Sequence, residues 1–256
     1  MPDSPRLAST VAVVTGASSG IGEATALALA AEGATVAIVA RRVERLEDLA
    51  TRIASAGPES IVIPADLTDP AEAPRVIEDV LAKAGRIDIL INNAGVMLLG
   101  PISGAPVDEW ERMIDINLRG LLHCAHAALP HLLQAAEQGP RNVADMVNIS
   151  SVAGRAVNSG SGVYNLTKDG VGAFSESLRQ EVTRRHVRIG LIEPGAVATE
   201  LAEHNRPEIR EVISKRFGNM ERMQATDISD AILYMVTRPR HVAVNEILIR
   251  PTEQER

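Results

Sequence analysis

Short apolar runs of four to six residues punctuate the chain, and longer stretches with helical character lie between them. Residues 10–14, 35–40, 60–64, 87–91, 144–149 and 187–192 are rich in Val, Ile and Ala with little polar interruption, and 246–249 forms a last such run. Near-continuous apolar runs of this length are what strands buried on both faces of a sheet require. Helices are predicted over 21–32 (closed by Gly33), 43–56 (stopped at Gly57-Pro58), 70–84, 107–137 and 162–185. Pro130 is expected to kink the fourth of these. Strands alternating with helices of ten or more residues give βαβ units, a parallel sheet and right-handed crossovers. The predicted fold is therefore α/β: one doubly wound domain over residues 1–256, with a parallel seven-stranded sheet and helices on both faces. The charged segment 199–226 fits neither pattern and is expected to form a flap over a site.

Composition narrows the possibilities. The 256 residues carry a net charge of −7, and aromatics are 2% of the chain. A nucleic-acid interface needs a basic patch and stacking rings, so none is expected. A lone cysteine, Cys124, allows no internal disulfide and suits a reducing compartment. No apolar stretch reaches membrane-spanning length, and residues 1–10 lack the apolar core of a signal peptide. A soluble, cytoplasmic chain is expected.

Two clusters carry candidate chemistry. In Thr15-Gly16-Ala17-Ser18-Ser19-Gly20-Ile21-Gly22 three glycines follow a predicted strand and open a predicted helix. Glycine lets a turn approach a pyrophosphate, and the helix N-terminus offers free N–H donors. A tight strand-to-helix turn would need glycine too, so the motif is weak alone. The second cluster is Ser151, Tyr164 and Lys168. A spacing of four puts Tyr164 and Lys168 on one helix face. A cation beside a phenol favours the phenolate and is expected to lower its pKa, giving an acid and base for neutral pH. Such pairs are common on solvated helices, but this chain has two tyrosines and only three lysines among 26 basic residues. Lysine has been kept where arginine could not replace it.

These markers, with Asp66-Leu67, Asn92-Asn93-Ala94-Gly95, Asn117, Ser150-Ser151 and Pro194-Gly195 followed by Thr199, appear in one order along the chain. The sequence resembles the short-chain dehydrogenase/reductase family over nearly its whole length. Each marker is weak, but seven in register are specific. The resemblance implies a Rossmann-type domain that transfers hydride between a nicotinamide cofactor and a carbonyl or alcohol carbon. It implies that Ser151 holds the substrate oxygen and Tyr164 exchanges a proton with it. Lys168 would lower the phenol pKa and bond the nicotinamide ribose. Asn117 would connect Lys168 to a water chain. By the same resemblance Gly16, Ser18, Ser19, Gly20, Ile21, Gly22, Asp66, Leu67, Asn93, Ala94, Gly95, Pro194, Gly195 and Thr199 would contact the cofactor, with Asp66 on the adenine amino group.

The second predicted strand ends in Ala40-Arg41-Arg42, where an acidic residue would select NAD by its ribose 2′-OH. Two cations at a helix N-terminus oppose the helix dipole unless an anion joins them. NADP(H) is therefore expected, with Arg41 the main contact and Arg42 the second, although Glu44 stands nearby. An NAD-dependent alcohol dehydrogenase and a dinucleotide sensor without turnover are the alternatives. Cofactor preference separates the first, and the intact Ser151, Tyr164, Lys168 and Asn117 weigh against the second.

Ser150 is expected to be structural, since the spacing to Tyr164 favours Ser151. His123, His126 and His131 share a helix but are read as surface or interface residues, so no metal is expected. Residues 96–101, 153–163 and the segment after Thr199 are pocket candidates, and a small carbonyl compound with a polar or acidic group is the expected substrate. The C-terminal residues 245–252 resemble a branch containing clavulanate dehydrogenase and 3-hydroxy acid dehydrogenases. Small residues at Gly170, Ala173 and Ser177, and leucines at 118, 121, 122, 129, 132 and 133, predict helix faces that pair in a homotetramer or homodimer.

Overall fold

The computed structural model describes residues 5–55, 58 and 60–255. Seven strands form one parallel sheet: β1 (Val11–Thr15), β2 (Thr35–Ala40), β3 (Ile61–Pro64), β4 (Ile89–Asn92), β5 (Ala144–Ile149), β6 (Val187–Pro194) and β7 (Glu246–Ile249). Their order is β3-β2-β1-β4-β5-β6-β7, so the chain winds outward both ways from the β1/β4 seam. Side chains alternate across each strand. Val11 and Val13 face one core, and Ala12 and Val14 the other. Helices cover both faces, which is why the strands read as unbroken apolar runs.

On one face lie α1 (Gly20–Ala31), α2 (Val43–Ala54) and α8 (Ala225–Val236), contributing Leu29, Leu46, Leu49, Ile53, Ile228 and Ile232. On the other lie α3 (Glu72–Ala84), α5 (Leu121–Gln138) and α6 (Gly162–Val182), contributing Val76, Val80, Cys124, Leu132 and Leu178. The remaining helices are α4 (Val107–Ile114) and α7 (Pro207–Phe217). The fold is thus the expected single Rossmann-type α/β domain. Among the described residues no helix is long and apolar enough to cross a membrane.

Three local expectations are corrected. The helix over 107–137 is α4, then a wide six-residue π turn at Asp115–Gly120, then α5. The change of pitch sits there, while α5 continues through Pro130. A Cβ on Gly120 would lie 2.9 Å from the Leu67 carbonyl oxygen, so the helix runs tightly against the segment after β3. An inserted residue lets the chain widen at that approach. Second, the segment 199–226 is not irregular: it carries a short 3₁₀ turn, Glu200–His204, then α7, begun by Pro207 at a position that needs no N–H. Third, α8 was not predicted at all. It begins with a reciprocal cap between Gln224 and Asp227, and its apolar stripe packs on α1. The predicted helix end at Ala56-Gly57 lies outside the described residues.

One buried polar cluster fixes the far side of the sheet. Arg188 on β6 donates to both carboxylate oxygens of Asp145 on β5 (2.7 and 3.0 Å). It also donates to the carbonyls of Val236 (3.0 Å) and Val242 (2.8 Å), which tie down the end of α8 and the approach to β7. Arg141 is a further partner of Asp145. Truncating one partner of such a network strands the other's charge in a dry interior. Arg188→Met is expected to destabilise the fold by about 3–5 kcal/mol, read as a fall in the urea midpoint.

Candidate active site

The seam where the strand order reverses opens a crevice at the carboxyl edge of the sheet, where ligands bind in this architecture. A cavity of about 600 Å³ occupies it. Of the residues expected from the sequence to act in catalysis or to contact the cofactor, all line it except Gly22 and Asn117.

Gly22 lies behind the turn. A Cβ on it would sit 2.4 Å from the Gly16 carbonyl oxygen and 2.5 Å from Asn93 Nδ2. Gly16 has φ +65°, and its own Cβ would meet Ala94 Cα at 2.8 Å. Asn93 reaches over from β4: its Nδ2 donates to the carbonyls of Thr15 (3.0 Å) and Gly16 (3.3 Å). Thr15 Oγ1 accepts from the backbone N–H groups of Asn93 and Ala94, both at 3.0 Å. The glycine turn and the segment after β4 are thereby locked together. The Asn93 amide is a clamp on the turn.

Past the end of β2, Arg42 leans back over this turn. Its guanidinium donates to Ser18 Oγ (3.0 and 2.9 Å) and Ser19 Oγ (2.7 Å). Arg41 is mostly exposed and stands 3.7 Å from Asp66, whose Oδ1 accepts from the Thr68 N–H and hydroxyl. Arg41, Arg42, Ser19 and Asp66, none of them buried, thus ring the outer end of the cavity beside the buried Ser18.

At the inner end, Ser151 follows β5, and Tyr164 and Lys168 share a face in the first turns of α6. All three are buried. Ser151 Oγ accepts from the Ala153 N–H at 3.1 Å, and Ser150 Oγ donates to the Lys168 carbonyl at 2.8 Å, a bond that pins α6 to the end of β5. Lys168 Nζ donates to the Ile149 carbonyl at 2.9 Å and lies 5.9 Å from the Tyr164 ring centre. Burial dominates both ionisations. The Tyr164 phenol is pushed up to about 12 by burial, only partly opposed by its hydrogen bond with Ser151. Burial likewise pushes Lys168 down to about 8. The expected depression of the phenol pKa by lysine is therefore not the arrangement in this protein-only cavity. The ammonium is spent on a backbone carbonyl, and desolvation outweighs its pull.

Asn117 sits in the wide π turn, fully buried. Its amide donates to the Val96 carbonyl (2.9 Å) and Thr167 Oγ1 (3.1 Å), and its oxygen accepts from the Val96 N–H (2.8 Å). It joins the 95–97 segment to α6, holding both close to Lys168. A Cβ on Gly95 would lie 3.1 Å from the Asn117 oxygen and 3.7 Å from Lys168 Nζ.

The three pocket segments converge: Met97 and Leu99, Ala153 and Asn158, and Leu201, His204 and Ile213 all line the cavity. Arg155 does not. It bridges Glu193 (2.7 Å) and Glu246 (2.5 Å), bracing the 151–155 turn against β6 and β7. Residues missed from the sequence also line the cavity, notably Arg112, Arg222 and Gln254. Gln254 Oε1 accepts from the Ala196 N–H at 2.8 Å, and only a glycine at 195 leaves room for it, since a Cβ would fall 2.3 Å away. A polar residue beside an apolar C-terminal run gave no sequence signal. Cys124 is buried and its thiol is pushed up to about 12. Among the described residues no group of three His, Cys, Asp or Glu side chains could hold a metal ion.

The comparisons agree with this architecture. The profile of the family described as short chain dehydrogenase matches residues 10–210. The chain is 38% identical over 242 residues to an uncharacterized oxidoreductase of Staphylococcus aureus strain USA300, spanning 94% of this chain and 96% of that one. It is 36% identical over 241 residues to one from Staphylococcus epidermidis, with 94% and 96% covered. Among solved structures it is similar to the closed form of a serine dehydrogenase complexed with NADP⁺ (TM-score 0.87, 32% identity, 96% and 97% covered). It is also similar to an alcohol dehydrogenase from the archaeon Thermococcus sibiricus complexed with 5-hydroxy-NADP (0.84, 27%, 96% and 98%). The chain belongs to the short-chain dehydrogenase family of oxidoreductases.

The low Lys168 pKa has a consequence for stability. A lysine depressed from 10.5 to about 8 leaves the folded protein with fewer protons than the unfolded chain between those values. Stability then rises with pH across that window and is lost as pH falls through 8. The unfolding free energy, measured by urea titration from pH 8 to 10, is expected to climb more steeply in the wild type than in Lys168→Met. Above pH 10 the raised Tyr164 acts the opposite way.

Proposed function

We propose that the protein is an NADP(H)-dependent reductase of small carbonyl compounds, working equally as an alcohol dehydrogenase in reverse. The observation that carries this reading is Arg42 laid across Ser18 and Ser19 at the end of β2, with Arg41 beside it. The chain leaves β2 through Arg41 and Arg42 rather than through an acidic residue that would receive a ribose 2′-OH, and a dianionic 2′-phosphate fits the guanidinium pair. The similar structures bound to NADP support the same choice.

The residues fit a dinucleotide. The glycine turn presents backbone without side chains, and the α1 N-terminus offers free N–H groups to a pyrophosphate. Gly16, Gly20 and Ile21 would lie along the phosphates, Asp66 and Leu67 at the adenine, and Ala94, Gly95, Pro194, Gly195 and Thr199 along the nicotinamide half. When bound, the cofactor supplies or accepts the hydride at the substrate carbon. The chain does the rest. Ser151 holds the substrate oxygen, and Tyr164 Oη donates its proton to that oxygen as the C=O π bond opens, leaving an alcohol. In the other direction the phenolate takes the proton back. Below pH 8 Lys168 is charged, and a substrate oxygen that holds Tyr164 and Ser151 together brings the phenol's ionised form within reach of that charge.

The segment 199–226 acts as a flap, since its 3₁₀ turn and α7 cover the cavity mouth. A substrate with a polar or acidic group suits the apolar floor of Met97 and Leu99 under a polar roof of His204, Arg112 and Arg222. Assembly as a homotetramer or homodimer is part of the same proposal. Leu121 and Leu132 are absorbed by the core, but Leu122 and Leu166 remain exposed on α5 and α6, beside the small strip of Ala173 and Ser177.

Tyr164→Phe is expected to lower kcat by about 10²–10⁴-fold while NADPH still binds. The check is a panel of aldehydes and ketones with NADPH or NADH followed at 340 nm, and wild-type turnover by the variant would remove Tyr164 from the chemistry. Light scattering at micromolar concentration is expected to give two or four times the 27.3 kDa chain mass. A fully active species at the single-chain mass would refute assembly.

A further inference from the structure

A carboxylate already occupies the arginine site at the cavity mouth. Glu200, the first residue after Thr199, accepts from Arg42 Nη1 at 2.9 Å and from Arg45 Nη1 at 2.6 Å. The same Arg42 guanidinium reaches Ser18 and Ser19 with its other nitrogens. Two guanidiniums and two hydroxyls therefore form one anion-binding crown, and its present anion comes from the chain itself, more than 150 residues away. The pairing is strong enough to hold the Glu200 carboxyl down to about 2.

Glu200 is also one of the ties that hold the 200–206 turn over the cavity. Another is Asn205, which donates to the Met97 carbonyl (2.9 Å) and accepts from the Leu99 N–H (2.7 Å), and Arg206 beside it donates to Glu109 (2.9 Å). The Asn205 tie lies at the substrate end and the Glu200 tie at the cofactor end. Thr199 is pressed between them and the glycine turn: a Cβ on Gly20 would lie 3.0 Å from Thr199 Cγ2.

A monoanion facing two guanidiniums leaves one positive charge uncompensated, whereas a phosphomonoester dianion matches both. We propose that Glu200 is an intramolecular competitor for the 2′-phosphate of the cofactor, so that it yields Arg42 and Arg45 to a bound phosphomonoester and keeps them when the ribose is unphosphorylated. This rests on the NADP reading above and adds to it a residue that sets how tightly, and with what effect on the flap, the phosphorylated cofactor binds. With NADP(H) the cofactor-side tie of the flap is released, and the Asn205 and Arg206 ties hold the turn. With NAD(H) all of these ties persist.

The test is direct binding, independent of turnover. Wild type and Glu200→Gln, shown by matching thermal melts to be folded, are titrated with NADPH, NADH and adenosine 2′,5′-bisphosphate. Nicotinamide fluorescence reports the first two and calorimetry the third. Since the ion pairs are solvent-exposed, their loss as competitors is expected to tighten NADPH and the bisphosphate by about 3–10-fold. NADH should change by less than about 2-fold. A role limited to holding the flap would move NADPH and NADH together, and that result overturns the proposal, as does weaker binding of NADPH by the variant. Failure of the underlying NADP reading looks different: wild type and variant alike would ignore the bisphosphate and favour NADH, and both claims would fall.

Discussion

The structure depends on the close approach of two backbones where β1 and β4 part. At that seam the chain turns away in opposite directions, and a crevice must open between two turns that nearly touch. Only glycine at 16 and 22 tolerates the distance, since a side-chain carbon at either would overlap Ala94 or the Gly16 carbonyl. Thr15 and Asn93 then exchange hydrogen bonds across the gap, satisfying backbone groups that the ending strands leave without partners. The outer cavity inherits its shape from this clamp. Move the glycine turn outward by one side chain and Ser18 and Ser19 no longer meet Arg42.

A second constraint operates at the inner end. Tyr164 and Lys168 are buried together, and burial alone would keep the phenol neutral and drive lysine towards its neutral form. The protein tolerates this by giving Lys168 a carbonyl partner in Ile149 and by anchoring its own backbone carbonyl to Ser150. Asn117 completes the support through Val96 and Thr167. That asparagine points inward because the helix carrying it widens by one residue just there. The π turn, the glycine at 120 and the asparagine are thus one device: a local departure from helical pitch that aims a polar group into the core.

Much of this was legible in the sequence because it is local. The strands announce themselves as apolar runs, and they do so because helices cover both faces. The glycine turn and the Tyr164–Lys168 pair are short-range patterns whose spacing reports their geometry. What was hidden is long-range or masked. The stripe of α8, Ile228, Ile232 and Met235, is interrupted by Asp227, Ser229 and Asp230 and follows a charged segment, so its periodicity was lost in its flank. Its cap, Gln224 with Asp227, is a less usual form of a familiar signal. The π turn left no mark, because a widened helix keeps the composition of a regular one. The burial that raises the phenol pKa was invisible as well, since spacing places two side chains together without telling how dry their surroundings are.

The charged character of 199–217 looks like that of a solvated loop, yet the structure gives several of its charges partners. Glu200 meets Arg42 and Arg45, and Arg206 meets Glu109 and Glu208. Three long-range contacts join this segment to different walls of the crevice: Glu200 to the end of β2, Asn205 to the loop after β4, Arg206 to α4. Apolar contacts would bury the segment permanently and close the cavity. Half-exposed ion pairs are weak individually and cost little to exchange for an incoming anion. A segment held in this way takes its place from directional charged contacts rather than from a core, and that accounts for its polar sequence between β6 and α8.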